Sequence, residues 1–452
     1  MVKIIVADRK YDCTHLLGQF LDESHYDLLL EEDCDVYAPP DCDVATTADC
    51  DVPRDCANCA SGTDERRIIM KFRKNFFTKQ QQDDAYAGLR EAAIETQNRG
   101  LAAGPRADKL GNREWVTEYE YDMVDYFLKP TGNIFGEDPV EEIRKKHASK
   151  KGAISNRSNV WSIERVKKDK FNFEEWVNAT KLLSEDEQAA SAKYVAEKLI
   201  CATTYANSVN SGIAGWFDRY PRIPYGRATS YTQRNPEKFA MAYPFLQQLA
   251  TGFKDLLPWR YNNQMEAAKK LDPAFLVPET PFTTVTVNKT FRTAAHYDAG
   301  DLTSGLSNLL VLSNDGKYTG GYLVAPEYRV AVNPRPGDLL LINNHEVMHG
   351  NTPIECPEGS ERISLVVYFR EKMLELGSKE YEDTRYVFVE SRRLNLERPE
   401  KIANKLWNGV SEGMWESDEW YKYCEEKLGR ETLLNYHPKA QKSFVGLDEF
   451  FG

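Results

Sequence analysis

No apolar run in this 452-residue chain approaches the roughly 20 residues that a membrane-spanning helix needs. The opening stretch Met1 to Ala7, MVKIIVA, is apolar but too short for a signal peptide or a span. A soluble, intracellular protein with no membrane partner is therefore expected, nuclear if the source is eukaryotic and cytoplasmic if it is bacterial or viral. The chain also lacks the evenly spread cysteines of a disulfide-stapled secreted fold. Of nine cysteines, Cys34, Cys42, Cys50, Cys56 and Cys59 crowd into one cluster and the rest are scattered. A basic excess is missing too: the net charge is −12, which argues against a generic nucleic-acid binder.

What is present begins with an ordinary globular composition, 41% hydrophobic, enough for one large core or two smaller ones. The charge is unevenly spread. Between Glu141 and Lys170 ten basic residues, from Arg144 to Lys170, face only four acids. A basic stripe on an acidic body can still track a phosphate backbone; a solvated linker or helix face is the plainer alternative.

In chain order, Val2 to Ala7 reads as a strand and His15 to Leu21 as a short helix. DCDV then recurs at Asp33, Asp41 and Asp49, followed by DCANC. Cys50, Cys56 and Cys59 could chelate zinc, but no histidine lies nearby and the spacing is not that of a finger, so a flexible low-complexity insertion at about 33–62 is expected. Arg66 to Phe76 resumes strand-like text, and Gln80 to Asn98 reads as a helix stopping at Gly100. Trp115 to Leu128 is aromatic and mixed in period. Ser184 to Ala206 reads as a long helix opened by a Ser184/Glu187 capping box. Trp216, Tyr220, Pro221, Pro224 and Tyr225 mark an aromatic loop beside Arg227, ahead of strand-like RATSYT. Such a loop suits stacking on a flipped base; aromatics sealing one end of a barrel are the even alternative. Pro236 to Leu257 is helical but kinked or divided at Pro244.

From Phe282 on, short strands alternate with Gly/Pro turns: TTVTVNK, the stretch around His296, LSNLLVLS, GYLVA, YRVAV, DLLLIN and ISLVVYF. Arg335-Pro336-Gly337-Asp338 is a tight turn suited to positive φ at Gly337, and Gly320-Gly321 marks a bulge or close backbone approach. Seven such strands make a double-sheet jelly roll, closed enough to shelter a metal. The expected class is α+β, a double-stranded β-helix flanked by N-terminal and C-terminal helices. The domains would be 1–110, 111–375 and a helical cap at 376–452, in which Trp407, Trp415 and Trp420 pack.

The chemistry concentrates between Thr290 and Arg370. His296 and Asp298 are two apart, so on a strand both point to one face and can share a metal. With His349 they form the ordered set of a 2-His-1-carboxylate triad, which holds Fe(II) on one face and leaves positions for a co-substrate and O2. A single His before Gly, as in His349-Gly350, is ordinarily structural; it is the ordered set that makes it a ligand. His345, in HEVMH, is its competitor. Arg362 and Ser364 then share one face of an alternating strand. A planar guanidinium with a neighbouring hydroxyl suits bidentate capture of the distal carboxylate of 2-oxoglutarate. The plainer alternative pairs Arg362 with Glu361 or another surface acid, and Arg370 is the fallback anchor.

These pieces, TAAHYDAGD, LSNLLVLS, KYTGGYLVAPEYRVAV, PRPGDLLLIN, HEVMHGNTPI and RISLVVYFR, make the run from Asn288 to Arg370 resemble the oxygenase domain of the TET/J-binding-protein family. Residues 225–289 (YGRATSYT, then FTTVTVNK) are similar more loosely, and the first hundred and last eighty residues carry no such match. The resemblance implies an Fe(II)/2-oxoglutarate dioxygenase that hydroxylates the 5-methyl group of thymine or 5-methylcytosine in DNA. It implies DNA as partner and Asp301, Arg227 and Asn288 as substrate-binding residues, Asp301 meeting the Watson–Crick edge of the flipped base. A carboxylate only accepts hydrogen bonds, and both thymine N3–H and the 5-methylcytosine amino group donate, so Asp301 does not choose between them. Alternatively it caps the loop or orients a metal ligand from behind. Two other functions stay open: the same fold acting on a free nucleotide or protein side chain, and a DNA-binding module without catalysis. The intact triad speaks against the second.

Overall fold

The computed structural model describes residues 2–39, 65–96, 99–104, 208–220, 223–395 and 413–440. Four of the clustered cysteines (Cys42, Cys50, Cys56 and Cys59), the aromatic stretch Trp115 to Leu128, the basic stretch, the helix expected at Ser184 to Ala206 and Trp407 lie outside the described residues. In chain order the strands are β1 (Lys3–Val6), β2 (Leu28–Leu30), β3 (Cys34–Tyr37), β4 (Ile68–Arg73), β5 (Ile94–Thr96), β6 (Val209–Phe217), β7 (Arg227–Ala228) and β8 (Thr284–Lys289). They continue as β9 (Ser307–Ser313), β10 (Thr319–Gly320), β11 (Leu323–Ala325), β12 (Val330–Val332), β13 (Leu339–Ile342), β14 (Gly350–Asn351), β15 (Ile354–Glu355) and β16 (Arg362–Tyr368). The helices used below are α1 (Lys79–Leu89), α2 (Ser230–Arg234), α3 (Pro236–Met241), α4 (Tyr243–Leu256), α5 (Pro258–Ala268), α6 (Lys379–Asn395), α7 (Asp418–Leu428) and α8 (Arg430–Tyr436).

Contacts divide the chain into two interleaved units. The first takes Met1–Gly212, Thr286–Ala299 and Leu306–Val366; the second takes Ile213–Val285, Gly300–Gly305 and Val367–Gly452. In the first, a large sheet runs β1-β3-β4-β13-β9-β16-β8-β6-β5, of which β16, β8 and β6 continue past the unit's sequence limits, and a four-stranded sheet runs β14-β11-β12-β2. Both sheets are mixed, because β1 pairs parallel with β3 and β2 parallel with β12. Residues two apart point to one face of a strand, and one buried cluster collects such pairs from both sheets. It holds Cys34 and Val36, Met70 and Phe72, Leu309 and Val311, and Leu340 and Ile342 from the large sheet, with Leu323 and Ala325, and Val330 and Val332, from the smaller. Each large side chain so buried contributes roughly 1.5–3 kcal/mol.

The turn chemistry follows the residues. Gly337 adopts φ +94°, as the Arg335–Asp338 turn requires, and its carbonyl accepts from the N–H groups of Phe76 and Phe77. Gly320 is also in the left-handed region, and a Cβ there would lie 1.9 Å from the Pro353 carbonyl oxygen. Helix α1 opens on a reciprocal capping box between Thr78 and Gln81.

Long-range pairing corrects several local expectations. The helix expected at His15 to Leu21 is only a 3-10 turn, Thr14–Leu16, because Gly18 turns the chain at φ +77°. The helix expected to reach Asn98 ends at Leu89, since Ile94–Thr96 pairs with Val209–Ser211 of β6. The first DCDV copy is not the start of an insertion: it forms buried strand β3, where Asp35 takes Lys71 at 3.0 Å and Arg73 at 2.8 Å. Trp216 belongs to β6 rather than to a loop, and RATSYT is strand only at β7, after which Thr229 caps α2.

In the second unit β7 pairs with the last two residues of β6. The helix expected over Pro236 to Leu257 is divided into α3 and α4, with Pro244 in the first turn of α4, where a missing N–H costs nothing. Helix α4 buries Phe245, Leu246, Leu249, Ala250 and Phe253, the three-to-four spacing of one face. Helices α6, α7 and α8 share a core of Tyr381, Phe388, Trp420, Tyr421 and Leu433, with Trp415 packed against it. Among the described residues no helix is long and apolar enough to cross a membrane.

Candidate metal centre

His296 and Asp298 do not lie on a ladder strand. They lie on an extended segment that meets the segment of His349 in an isolated bridge, with His296 N–H donating to the His349 carbonyl at 2.9 Å and the reverse bond at 3.0 Å. The N-terminal region holds this segment from before: Ala295 N–H donates to the Gln19 carbonyl and Ala294 N–H to the Ala102 carbonyl, each at 2.8 Å. Asp298 N–H donates to the Asn344 carbonyl at 2.9 Å.

The bridge brings three ligand atoms together. One atom from each of His296, Asp298 and His349 lies within 4.8 Å of the others. His296 Nε2 is 3.3 Å from Asp298 Oδ1, and His349 Nε2 is 3.9 Å from Asp298 Oδ2. Ligands about 2.1 Å from one ion and at near right angles stand ~3 Å apart, so the set fits a single cation after small movements. Both imidazoles are oriented for it. His296 Nδ1 sits 2.7 Å from the Ala294 carbonyl oxygen and His349 Nδ1 sits 3.0 Å from that of Val347. A carbonyl can only accept, so each Nδ1 carries a proton and each Nε2 is the nitrogen turned to the shared point.

The electrostatics agree. Burial, reinforced by His296, pushes His349 down to about 4, so its ring is neutral at neutral pH. Burial is the largest influence on Asp298 and raises its carboxyl, but His296, His349 and the Asn344 amide, donating at 3.0 Å, together outweigh it and hold the carboxyl at about 2. Two imidazoles and one carboxylate form the donor set of a divalent first-row metal. His345 is not part of this cluster.

Arg362 is 1% exposed on β16. Its Nη2 donates to the Gly321 carbonyl at 3.2 Å, and its guanidinium lies 5.6 Å from the centre of the Tyr318 ring. Its Nε and Nη1 are buried with no hydrogen-bond partner among the described residues. Two unmet donors on one planar cation leave room for a ligand carboxylate. Glu361 does not take them, being bound by Arg90 at 2.8 Å, Lys289 at 2.6 Å and Tyr86 at 2.6 Å. Gly321 makes the space: it sits at φ +71°, and a Cβ there would lie 3.0 Å from Arg362 Nε. Ser364 is buried two residues along the same strand.

The remaining candidates are placed differently. Asn288, on β8, accepts a hydrogen bond from Ser211, which occupies its carbonyl. Asp301 and Arg227 belong to the second unit. Asp301 is 6% exposed and forms a backbone bridge with Arg370. Arg370 is ion-paired with Asp218 and lies 4.0 Å from the Phe217 ring centre, so its charge is already answered where that of Arg362 is not. Burial lowers the pKa of Arg227, whose Nη1 donates to the Asp218 carbonyl at 2.9 Å. Of the aromatic residues expected in a loop, Trp216 on β6 packs on Phe239 and Tyr225 packs on Tyr386, while Tyr220 is 40% exposed. Asn344, whose amide meets Asp298, is marked in the sequence only as half of a polar pair directly after the buried run LLLI.

Residues 213–371 match the model of the Tet_JBP family, the oxygenase domain of the 2OGFeDO superfamily. Among curated relatives, thymine dioxygenase JBP1 of Trypanosoma brucei brucei is 33% identical over 212 residues, covering 45% of this chain and 23% of the relative. The bifunctional helicase and thymine dioxygenase JBP2 of Trypanosoma brucei brucei (strain 927/4 GUTat10.1) is 38% identical over 165 residues, 36% of this chain and 15% of the relative. The chain thus spans less than a quarter of the length of either. The solved structure of NgTET1 in complex with 5mC DNA is similar at 18% identity and TM-score 0.32, over 40% of this chain and 68% of that one.

Proposed function

We propose that the chain, which carries a Tet_JBP oxygenase domain across residues 213–371, is an Fe(II)- and 2-oxoglutarate-dependent dioxygenase that hydroxylates the 5-methyl group of a pyrimidine in DNA. The observation that carries the reading is the pairing of a His-Asp-His cluster with a buried arginine that has two unmet donors in the same unit. The reading takes the two sheets that share one core as the walls of a double-stranded β-helix. The relatives' names, thymine dioxygenases, favour thymine over 5-methylcytosine. A DNA substrate would place the protein wherever the cell keeps its DNA, the nucleus in a eukaryote.

Each residue has a defined task. His296, Asp298 and His349 hold the iron, with proton-bearing Nδ1 atoms tied to carbonyls so that the rings cannot turn away. When bound, iron supplies the activation of O2 that drives 2-oxoglutarate decarboxylation and hydroxylation of a methyl carbon. Arg362 grips the distal carboxylate of the co-substrate through Nε and Nη1, with Ser364 as a neighbouring hydroxyl. Its burial strengthens that grip, because water cannot compete for the charge. Asp301 accepts a hydrogen bond from the flipped base.

The test is incubation with Fe(II), 2-oxoglutarate and duplexes containing either thymine alone or 5-methylcytosine, followed by nucleoside mass spectrometry. 5-Hydroxymethyluracil appearing from thymine, with matching succinate, is expected. Succinate released equally without DNA, and no modified nucleoside from either duplex, would refute a DNA substrate.

A further inference from the structure

Glu327 is a buried carboxylate that the assignments above leave unused. It lies in the 3-10 turn Pro326–Tyr328, between β11 and β12, and its side chain is 5% exposed. One oxygen accepts the Tyr297 hydroxyl at 2.8 Å, and the other accepts the backbone N–H of Met348 at 2.8 Å. Lys10 Nζ approaches the first oxygen at 3.2 Å.

The positions matter more than the bonds. Tyr297 stands between His296 and Asp298, and Met348 directly precedes His349. Adjacent residues of an extended chain point to opposite faces. The Tyr297 side chain that Glu327 holds therefore points away from the face of His296 and Asp298, as the Met348 side chain points away from that of His349. Ala295, Val324 and Met348 belong to one apolar cluster, with Tyr297 packed against it, and a carboxylate in such surroundings is costly unless its oxygens are well met. Here the donors that meet them come from both segments that carry the ligands.

We propose that Glu327 is a positioning residue of the metal centre: its carboxylate ties the His296–Asp298 segment to the His349 segment through Tyr297 and Met348, and so sets the spacing offered to a divalent cation. The inference rests on the reading of His296, Asp298 and His349 as ligands. It requires two acceptor oxygens at position 327. In Glu327→Gln one oxygen becomes an amide N–H2, a donor that cannot accept from either Tyr297 or Met348.

Cobalt(II) titration of the full chain, without 2-oxoglutarate or DNA, tests it through the dissociation constant and the visible d–d band. Glu327→Gln is expected to weaken binding about tenfold, at the lower end of what residues behind metal ligands do, and to change the band. Tyr297→Phe leaves the Met348 bond intact and should weaken binding less. In the double variant Tyr297→Phe/Glu327→Gln both members of the Tyr297–Glu327 bond are gone, so the losses should be less than additive. A general structural role predicts additive losses instead. An unchanged constant and band in Glu327→Gln, or additive losses, would overturn the proposal. Should Glu327→Gln fail to fold, Tyr297→Phe decides, and cobalt affinity equal to the parent's overturns it. A parent protein that binds no cobalt refutes the metal centre itself, a distinct outcome.

Discussion

Arg362→Lys isolates the co-substrate anchor. The substitution keeps the positive charge and removes the fork. In the parent, Nη2 is spent on the Gly321 carbonyl at 3.2 Å, while Nε and Nη1 are buried without partners. Those two atoms can donate side by side to one carboxylate; a lysine ammonium meets it as a single point on a longer, freer stem. One charge-assisted hydrogen bond is therefore lost, about 1.5–3 kcal/mol. Since about 1.4 kcal/mol is a factor of ten, the KM for 2-oxoglutarate should rise roughly 10- to 100-fold. The rise should appear with little change in metal affinity, because Arg362 is not part of the His-Asp-His cluster. Succinate release at varied 2-oxoglutarate, with saturating iron and DNA, measures it. A KM within about twofold of the parent would refute the reasoning, because two unmet buried donors would then have no carboxylate to meet. Arg370 would not simply take over, being ion-paired with Asp218.

Three further outcomes are expected. His296→Ala and Asp298→Ala should each lose metal binding and succinate production while keeping the parent's circular dichroism; normal succinate production by either would remove the triad. Asp301→Ala should keep its metal affinity and lose turnover on DNA, with decarboxylation uncoupled from hydroxylation, whereas weakened metal binding would assign Asp301 to a supporting role behind the ligands. Hydrogen bonding from Arg90, working against burial, and then from Lys289 and Tyr86, holds the Glu361 carboxyl at about 2. A carboxyl lowered on folding stabilises the native state above its unfolded value of ~4.3, and this is lost as pH falls from there toward the folded value. Glu361→Gln should accordingly cost about 1–2 kcal/mol at neutral pH, since its partners are partly exposed, and should flatten the acid limb of a stability–pH curve; an unaltered limb would refute the linkage.

Local features were legible in the order of residues alone. Alternating residues such as Leu340 and Ile342 select one face of a strand, Gly337 selects the turn ahead of β13, and Pro244 divides the helix that contains it. Residue chemistry likewise set out the candidate donors in order: His296, Asp298, His349 and then Arg362. Tertiary structure decided what depends on distant partners. Ile94–Thr96 left its helix because β6 offered a ladder, and the first DCDV copy became a strand because β1 and β4 flank it. The division into two units could not be read from the order of residues, since each unit takes three separate stretches of chain. The same holds at the metal centre. That Arg362 keeps two unmet donors while Arg370 is ion-paired is a property of the assembled surroundings, not of either arginine. Glu327 and Asn344 reach the ligand segments from 30 and 46 positions away. No local pattern records such contacts, because their energy arises only when the packed fold buries both partners together.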